Sequence, residues 1–393
     1  MRSAPVYSQN SSSSELLLPQ DLASSSDTEH WNYTTKHMKV DLGPRMWSPM
    51  YAPCYGLNGK IEGSIRFSGS LSSVKKVTLM LEGRIITSEQ PSSTILSRTI
   101  PVYTPFTTSG TQWKDSCSFS LPIPTEVNTN GGVSSMPPSF FCYNNGNMCD
   151  VSYFIKVCMV RKKNGFCMHE SRLIPILYLP KSEPYEASLV KTTQSNVGDI
   201  SLSSMTPQWI DSKNGGSLHD IIFISLPSTE FVSGNKIPFC VNLDTAKHPL
   251  LSQVLDENVH VTLVNRISLW SSASSKPVYS ERKIASGTVY SRPKSQGKIG
   301  SIQAGCTGRE SSWRLEGVAS MEYILRVHIT APKHLLQKMP TFCHETVITL
   351  TTDEYGTLQR ELKTIGGIPT PALGRQITHV SGEPITCANV FVI

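Results

Sequence analysis

At 393 residues, 38% hydrophobic and 17% charged, the chain has room for two or three domains with sizeable cores. Its formal net charge of +6 is small for that length and is not gathered into a basic stripe, which argues against a nucleic-acid binder. It leaves room for weak attraction to an anionic membrane surface.

No segment approaches the roughly 20 apolar residues that a membrane span needs. Leu16-Leu17-Leu18 is too short to be the core of a signal peptide. A cytosolic protein is expected, recruited at most to the plasma membrane or endosomes. Its ten cysteines are then reduced thiols, several of them small buried hydrophobes on strands (Cys117, Cys158, Cys240). The sequons at Asn10 and Asn32 are read as chance.

Residues 1–45 are Ser-rich and are expected to be a disordered tail. Strand patterns begin near residue 50. Ile61, Ile65 and Phe67 share one face, against Glu62, Ser64 and Arg66 on the other. Val77, Leu79 and Leu81 alternate with Thr78, Met80 and Glu82, and Cys117, Phe119 and Leu121 alternate with serines. Val151, Tyr153, Ile155, Val157 and Met159 form the longest such stripe. A period of two repeated this often predicts half-buried antiparallel strands, and no amphipathic helix stands out. Residues 186–205 are polar and are read as a linker between a first domain over 46–185 and a second over 206–393. The second opens with Ile237, Phe239, Val241 and Leu243 and has its own long stripe, Tyr323, Leu325, Val327 and Ile329. Residues 271–315 read as long mobile loops, and Val390-Phe391-Val392-Ile393 as a final strand.

Two words recur in order in the two halves. Val77-Thr78-Leu79 runs on to Arg84, as Val261-Thr262-Leu263 runs on to Arg266. Tyr153-Phe154-Ile155-Lys156-Val157 is matched by Tyr323-Ile324-Leu325-Arg326-Val327. A duplicated all-β module is the expectation.

Several elements together resemble the arrestin-like family, in particular the divergent arrestin-domain proteins of fungi. Gly59 to Ile65 is similar to an early family strand, and Val77 to Arg84 to the next. Phe119-Ser120-Leu121-Pro122-Ile123-Pro124 resembles an F-x-L-P-x-P element, and Met136-Pro137-Pro138-Ser139-Phe140 an L-P-P-S-F element. Tyr153 to Arg161 resembles Y-x-I-x-V-x-V-x-R, and Ile174 to Pro180 resembles I-P-I-x-Y-x-P. The second domain matches through Ile237-Pro238-Phe239 and Val261 to Arg266. The resemblance implies two tandem antiparallel β-sandwiches of immunoglobulin-like, arrestin type. It also implies adaptor work on cytoplasmic tails of membrane proteins, in endocytosis or ubiquitin-linked trafficking. Many fungal members recruit a HECT-type ubiquitin ligase through P-P-x-Y. This chain has no P-P-x-Y: Pro137-Pro138-Ser139-Phe140 has Phe in the place of Tyr and reads as a strand entry.

No G-x-S-x-G, Gly-rich phosphate loop or H-E-x-x-H is present, and Cys142, Cys149, Cys158 and Cys167 are spaced too widely for a zinc knuckle. The expectation is a non-enzymatic chain with no metal and no cofactor. Its rivals are a retromer-type sandwich subunit and a β-sandwich hydrolase. Lys75-Lys76 and Arg161-Lys162-Lys163 are the candidate anion site, suited to phosphates of a modified tail or an inositol lipid. The plainer reading is that these residues keep hairpin tips soluble and guard sheet edges. An extended peptide adding to a sheet edge would leave almost no mark in sequence.

Overall fold

The computed structural model describes residues 29–47, 50–68, 74–103, 116–129, 131–144, 146–163, 166–185, 206–209, 222–243, 258–271, 276–291, 297–330, 342–365, 367 and 369–374. Those residues are nearly all β. The first half comprises β1 (His30–Thr34), β2 (Met38–Pro44), β3 (Cys54–Tyr55), β4 (Lys60–Phe67), β5 (Val74–Thr87) and β6 (Ser93–Tyr103). It continues with β7 (Ser116–Pro122), β8 (Glu126–Thr129), β9 (Gly132–Ser135), β10 (Phe140–Asn144), β11 (Asn147–Lys163) and β12 (Phe166–Tyr178). The second half comprises β13 (Thr206–Trp209), β14 (Ile222–Leu226), β15 (Glu230–Val232), β16 (Lys236–Leu243), β17 (Val259–Leu269) and β18 (Val278–Ser286). Then come β19 (Thr288–Ser291), β20 (Gly297–Gln303), β21 (Trp313–Leu315), β22 (Ala319–Ile329), β23 (Phe342–Thr351) and helix α1 (Thr357–Ile365).

The first half forms a sheet β1-β2-β4-β7 and a sheet β3-β12-β11-β5-β6, with β10 added on β11. The second forms β13-β14-β16-β20-β19 and β15-β23-β22-β17-β18, with β21 added on β22. The strand order is the same in both, except that β19 adds a fifth strand to one sheet of the second half and β8 and β9 form a separate pair in the first. β16 stands where β4 stands, β17 where β5, β22 where β11 and β23 where β12. Even the short parallel strand at the sheet edge recurs, as β3 on β12 and β15 on β23. No sheet among the described residues mixes strands from the two halves.

Register refines the repeated words. Tyr153 faces Gly83 and Ser152 faces Arg84, while Tyr323 faces Asn265 and Glu322 faces Arg266. The tyrosines and the arginines are therefore counterparts. Val157 faces Leu79 and Val327 faces Val261, so the counterpart of Val261 is Leu79, not Val77. The first word of the sequence reading was set two residues out of register.

Alternation fixes the core. Val77, Leu79, Leu81, Tyr153, Ile155 and Val157 are buried with Ile61, Ile65 and Leu121 of the other sheet, all in one contiguous apolar cluster. Tyr153 donates from its hydroxyl to the Pro137 carbonyl at 2.6 Å and meets the Tyr178 ring edge-to-face at 5.8 Å. Gly83 leaves room for that ring, since a Cβ there would sit 2.7 Å from Tyr153 Cε1. The Pro137 to Ser139 stretch is buried, with Ser139 N donating to Tyr178 O at 2.7 Å. It enters β10 as a pinned strand, in keeping with the structural reading of Pro137-Pro138-Ser139-Phe140.

Three expectations are corrected. The Ser-rich tail does not reach residue 45, because β1 and β2 occupy 30–44 and bury Trp31, Met38, Val40 and Leu42. Residues 271–315 include β18 to β21, held by cross-strand pairing rather than by apolar alternation. Helix α1 also exists. Its first turn is capped from far away, by the Glu183 carboxylate accepting from Gly356 N at 3.1 Å and from Leu358 N. The expected linker over 186–205 and the expected strand at 390–393 lie outside the described residues.

The halves touch. Gln90 Nε2 donates to Trp270 O at 2.6 Å, and Thr129 Oγ1 to Glu316 O at 3.0 Å. Phe140 and Trp313 stack edge-to-face at 5.6 Å. A strap after α1 completes the joint. Glu361 on the helix pairs with Lys181 Nζ at 2.8 Å and accepts from Thr370 N at 2.9 Å. Ala372 N donates to Leu179 O at 2.9 Å. Gly56 lies so close that a Cβ would fall 2.7 Å from the Pro369 carbonyl oxygen.

Candidate functional site

The two basic segments named from sequence become neighbours through pairing. Strand β11 runs seventeen residues and β5 fourteen, and near one end Val160 faces Lys76 and Arg161 faces Val74. The register shifts there, and Lys75 falls in the irregularity. A bulge sets two residues against one and re-aims a side chain. Lys75, Lys76 and Lys162 are exposed and Arg161 is half-buried. Lys163 faces Phe166 in the β11–β12 register. No described carboxylate pairs with Lys75, Lys76 or Lys162. Adjacent strands lie about 4.8 Å apart, so unneutralised cations here repel one another and gain from an incoming anion.

The start of β12 adds what the sequence reading missed. Phe166, Cys167, Met168 and His169 are all exposed, whereas Ile174 and Ile176 on the same strand are buried. Exposure on both faces continues through Leu173, broken by the half-buried Glu170. The Glu170 carboxylate accepts from His37 N at 2.9 Å and holds His37 Nδ1 at 2.7 Å, just before β2 begins. Burial opposes ionisation of Glu170, but hydrogen bonds from Thr35 and His37 outweigh it and hold the carboxyl below its ordinary value.

One side of this strand is also an open edge. Beyond Leu177 and Tyr178, which pair with β3, no described strand pairs with the far side of β12. Leu177 N donates outward to Pro53 O at 2.9 Å. By alternation the backbone groups of Cys167, His169, Ser171 and Leu173 also point outward. These are the groups to which an added strand would bond.

The corresponding sheet of the second half carries a different kind of charge cluster. Arg266 Nε donates to Glu281 at 2.8 Å and its Nη2 to Glu345 at 2.7 Å. Arg326 bonds both carboxylates, at 2.8 Å each. The four side chains neutralise one another and leave no site for an anion. Burial works against the Glu281 and Glu345 carboxylates, but the arginine hydrogen bonds prevail and lower both below the ordinary 4.5. Stability from this cluster is therefore full above that value and lost as pH falls through the lowered ones. With side chains a fifth to a third exposed, Arg326→Ala is expected to cost about 1–2 kcal/mol, read from a denaturant midpoint at neutral pH. The loss should shrink below pH 4.

Elsewhere the chemistry is quiet. Burial pushes the Cys54 thiol up to about 12 and raises Cys149, Cys117 and Cys142, so these thiols stay protonated at neutral pH. Among the described residues no group of three or more His, Cys, Asp or Glu is placed to hold a metal. No described helix is long and apolar enough to cross a membrane.

No protein-family model matches this chain, and no curated protein does either.

Proposed function

We propose that the chain is a non-enzymatic adaptor built as two tandem arrestin-like β-sandwiches, which binds extended acidic or phosphorylated tails of membrane proteins on the cytoplasmic side. The reading is supported above all by the union of Lys75-Lys76 with Arg161-Lys162 on adjacent strands, one strand away from the open edge of β12. An extended tail laid along Cys167 to Leu173 would gain main-chain hydrogen bonds, and its acidic or phosphate groups would meet the cations. The repeated strand order supports the tandem sandwich part of the reading. Without a P-P-x-Y, any ubiquitin ligase would have to be reached through another contact.

The test is binding of a phosphorylated, extended acidic peptide to a variant with Lys75, Lys76, Arg161 and Lys162 all replaced by Ala. Affinity at low salt is expected to fall about tenfold or more, and the difference from the native chain to narrow as salt rises. Unchanged affinity at low salt removes these residues from the site.

A further inference from the structure

We propose that Cys142 and Cys149 form a reversible disulfide across the β10–β11 hairpin, which makes this hairpin a site of oxidative modification at the joint between the two halves. The inference goes beyond tail binding and stands independently of it.

Register sets the two cysteines directly opposite each other, between the facing pairs Phe140 and Val151 on one side and Asn144 and Asn147 on the other. Ser88 N donates to Met148 O at 3.0 Å, so Met148 turns its backbone toward the β5 side and Cys149 turns its own toward β10. Cys142 and Cys149 are then a hydrogen-bonded pair, whose Cα atoms lie about 5.5 Å apart. That falls within the span of about 4.4–6.8 Å that a disulfide bridges. Among the described residues, strand pairing sets no other two cysteines face to face. Cys117 faces Ile65, Cys158 faces Thr78 and Ser171, Cys167 faces Lys162, and Cys343 faces His328. Cys54 faces Leu177, and Cys240 faces Ser225 and Ile299.

The two thiols differ in a way that orders the chemistry. Cys149 is 1% exposed and belongs to the core, while Cys142 is half-buried at its rim. Burial raises both thiols, and at Cys142 the Arg282 cation of β18 works against it. Cys142 is therefore the attacking thiol and Cys149 the resolving one. The oxidant is a low-molecular-weight disulfide. The Cys142 thiolate attacks one of its sulfurs, and the departing thiolate takes up the Cys142 proton. Cys149, deprotonated in turn, attacks Cys142 Sγ, and the second departing thiolate takes up the Cys149 proton. Two cysteine thiols are oxidised to one disulfide, and the small disulfide is reduced to two thiols.

Position gives the bond its consequence. Phe140 and Asn144 share the Cys142 face of β10. Phe140 stacks on Trp313 at 5.6 Å, and Asn144 Nδ2 donates to Glu281 O at 3.3 Å, both in the second half. The Cβ atoms of a hydrogen-bonded facing pair start about 5.5 Å apart, and a disulfide holds them at about 3.8 Å. Closing the bond tightens the strand between those two contacts, and the strain keeps the bond reducible.

Oxidised glutathione applied to the folded full chain tests this. Remaining thiols are alkylated, and chymotrypsin then separates Cys142 from Cys149 by cutting after Tyr143. The peptides carrying Cys142 and Cys149 should be joined by a disulfide and free of glutathione, whereas the exposed Cys167 and Cys306 should carry glutathione. Cys149→Ala should leave Cys142 as a lasting mixed disulfide, and Cys142→Ser should leave Cys149 unmodified. Arg282→Ala should slow the joining about threefold at low salt, and Arg282→Lys should restore it. Dithiothreitol should return both thiols. Alkylation of both cysteines after oxidation of the folded chain overturns the proposal, as does glutathione that stays on Cys142 of the native chain. Joining that begins only above the melting transition overturns it too. Equal rates in the native chain and Arg282→Ala overturn Cys142 as the attacking thiol.

Discussion

Tyr153→Ala should destabilise the first half by about 3–5 kcal/mol, seen as a lower denaturant midpoint with an unchanged slope. Tyr153 is 1% exposed, packs edge-to-face on Tyr178 and fills the space that Gly83 leaves open. Truncation would open a cavity bordered by both sheets. It would also strand the Pro137 carbonyl, which accepts the phenolic hydroxyl at 2.6 Å inside the core. Tyr153→Phe separates the two effects: the ring stays, the hydrogen bond goes, and the cost should be about 1–2 kcal/mol. Because Pro137 leads into β10, the variant should also loosen the Pro137 to Phe140 entry. Tyr323 occupies the equivalent position in β22 and is 2% exposed. Tyr323→Ala is the companion experiment. If the halves unfold separately, each alanine should move its own transition and spare the other. A single transition moved equally by both would mean that the contacts between the halves fuse them into one cooperative unit.

Those tyrosines also show what a sequence can carry. Strands such as β11 and β22 are long, bury one face and obey strict alternation, so their pattern survives in one dimension. The Tyr153 and Tyr323 words were matched correctly because each sits at the centre of its sheet. Register was lost at Val77, because nothing local records which residue of β17 faces Val327. Met38, Val40 and Leu42 carry a legible alternation, but it is short and follows a Ser-rich stretch that drew the segment into the tail. Helix α1 was illegible for a different reason. Its apolar stripe, Leu358, Leu362 and Ile365, spans only nine residues, and its cap comes from Glu183, more than 170 positions upstream. The candidate site was half legible. Each basic pair stands out alone, but only the β5–β11 register brings them together. Phe166 and Met168 share a face with Ile174 and Ile176, but Glu170 and Arg172 stand between them and interrupt the apolar period.

Glu361→Gln should release the strap that joins the two halves. The Glu361 carboxylate and the Lys181 ammonium are 12% and 14% exposed and lie 2.8 Å apart. Gln keeps an acceptor for Thr370 but leaves Lys181 facing only Asp353, at 3.9 Å. A cost of about 2–3 kcal/mol is expected, short of the full penalty for breaking a wholly buried pair because some water still reaches both groups. Limited proteolysis should then cut near α1 before either half unfolds, since the lost contacts are local to the strap. The pH dependence gives the sharper check. Burial opposes the charge on Glu361, but hydrogen bonds from Lys181 and Thr370 outweigh it, so its carboxyl sits below the ordinary 4.5 in the folded chain. A lowered folded value means that the stabilisation is complete above 4.5 and disappears as pH falls through the lowered value. The native chain and Glu361→Gln should therefore differ most at neutral pH and converge in acid. Asp150 acts in the opposite sense, because burial raises its carboxyl to about 6 and folding loses stability as pH climbs through that range. It is present in both proteins and cancels in the difference, so a gap that widens toward acid would mean that Glu361 does not hold the strap by its charge.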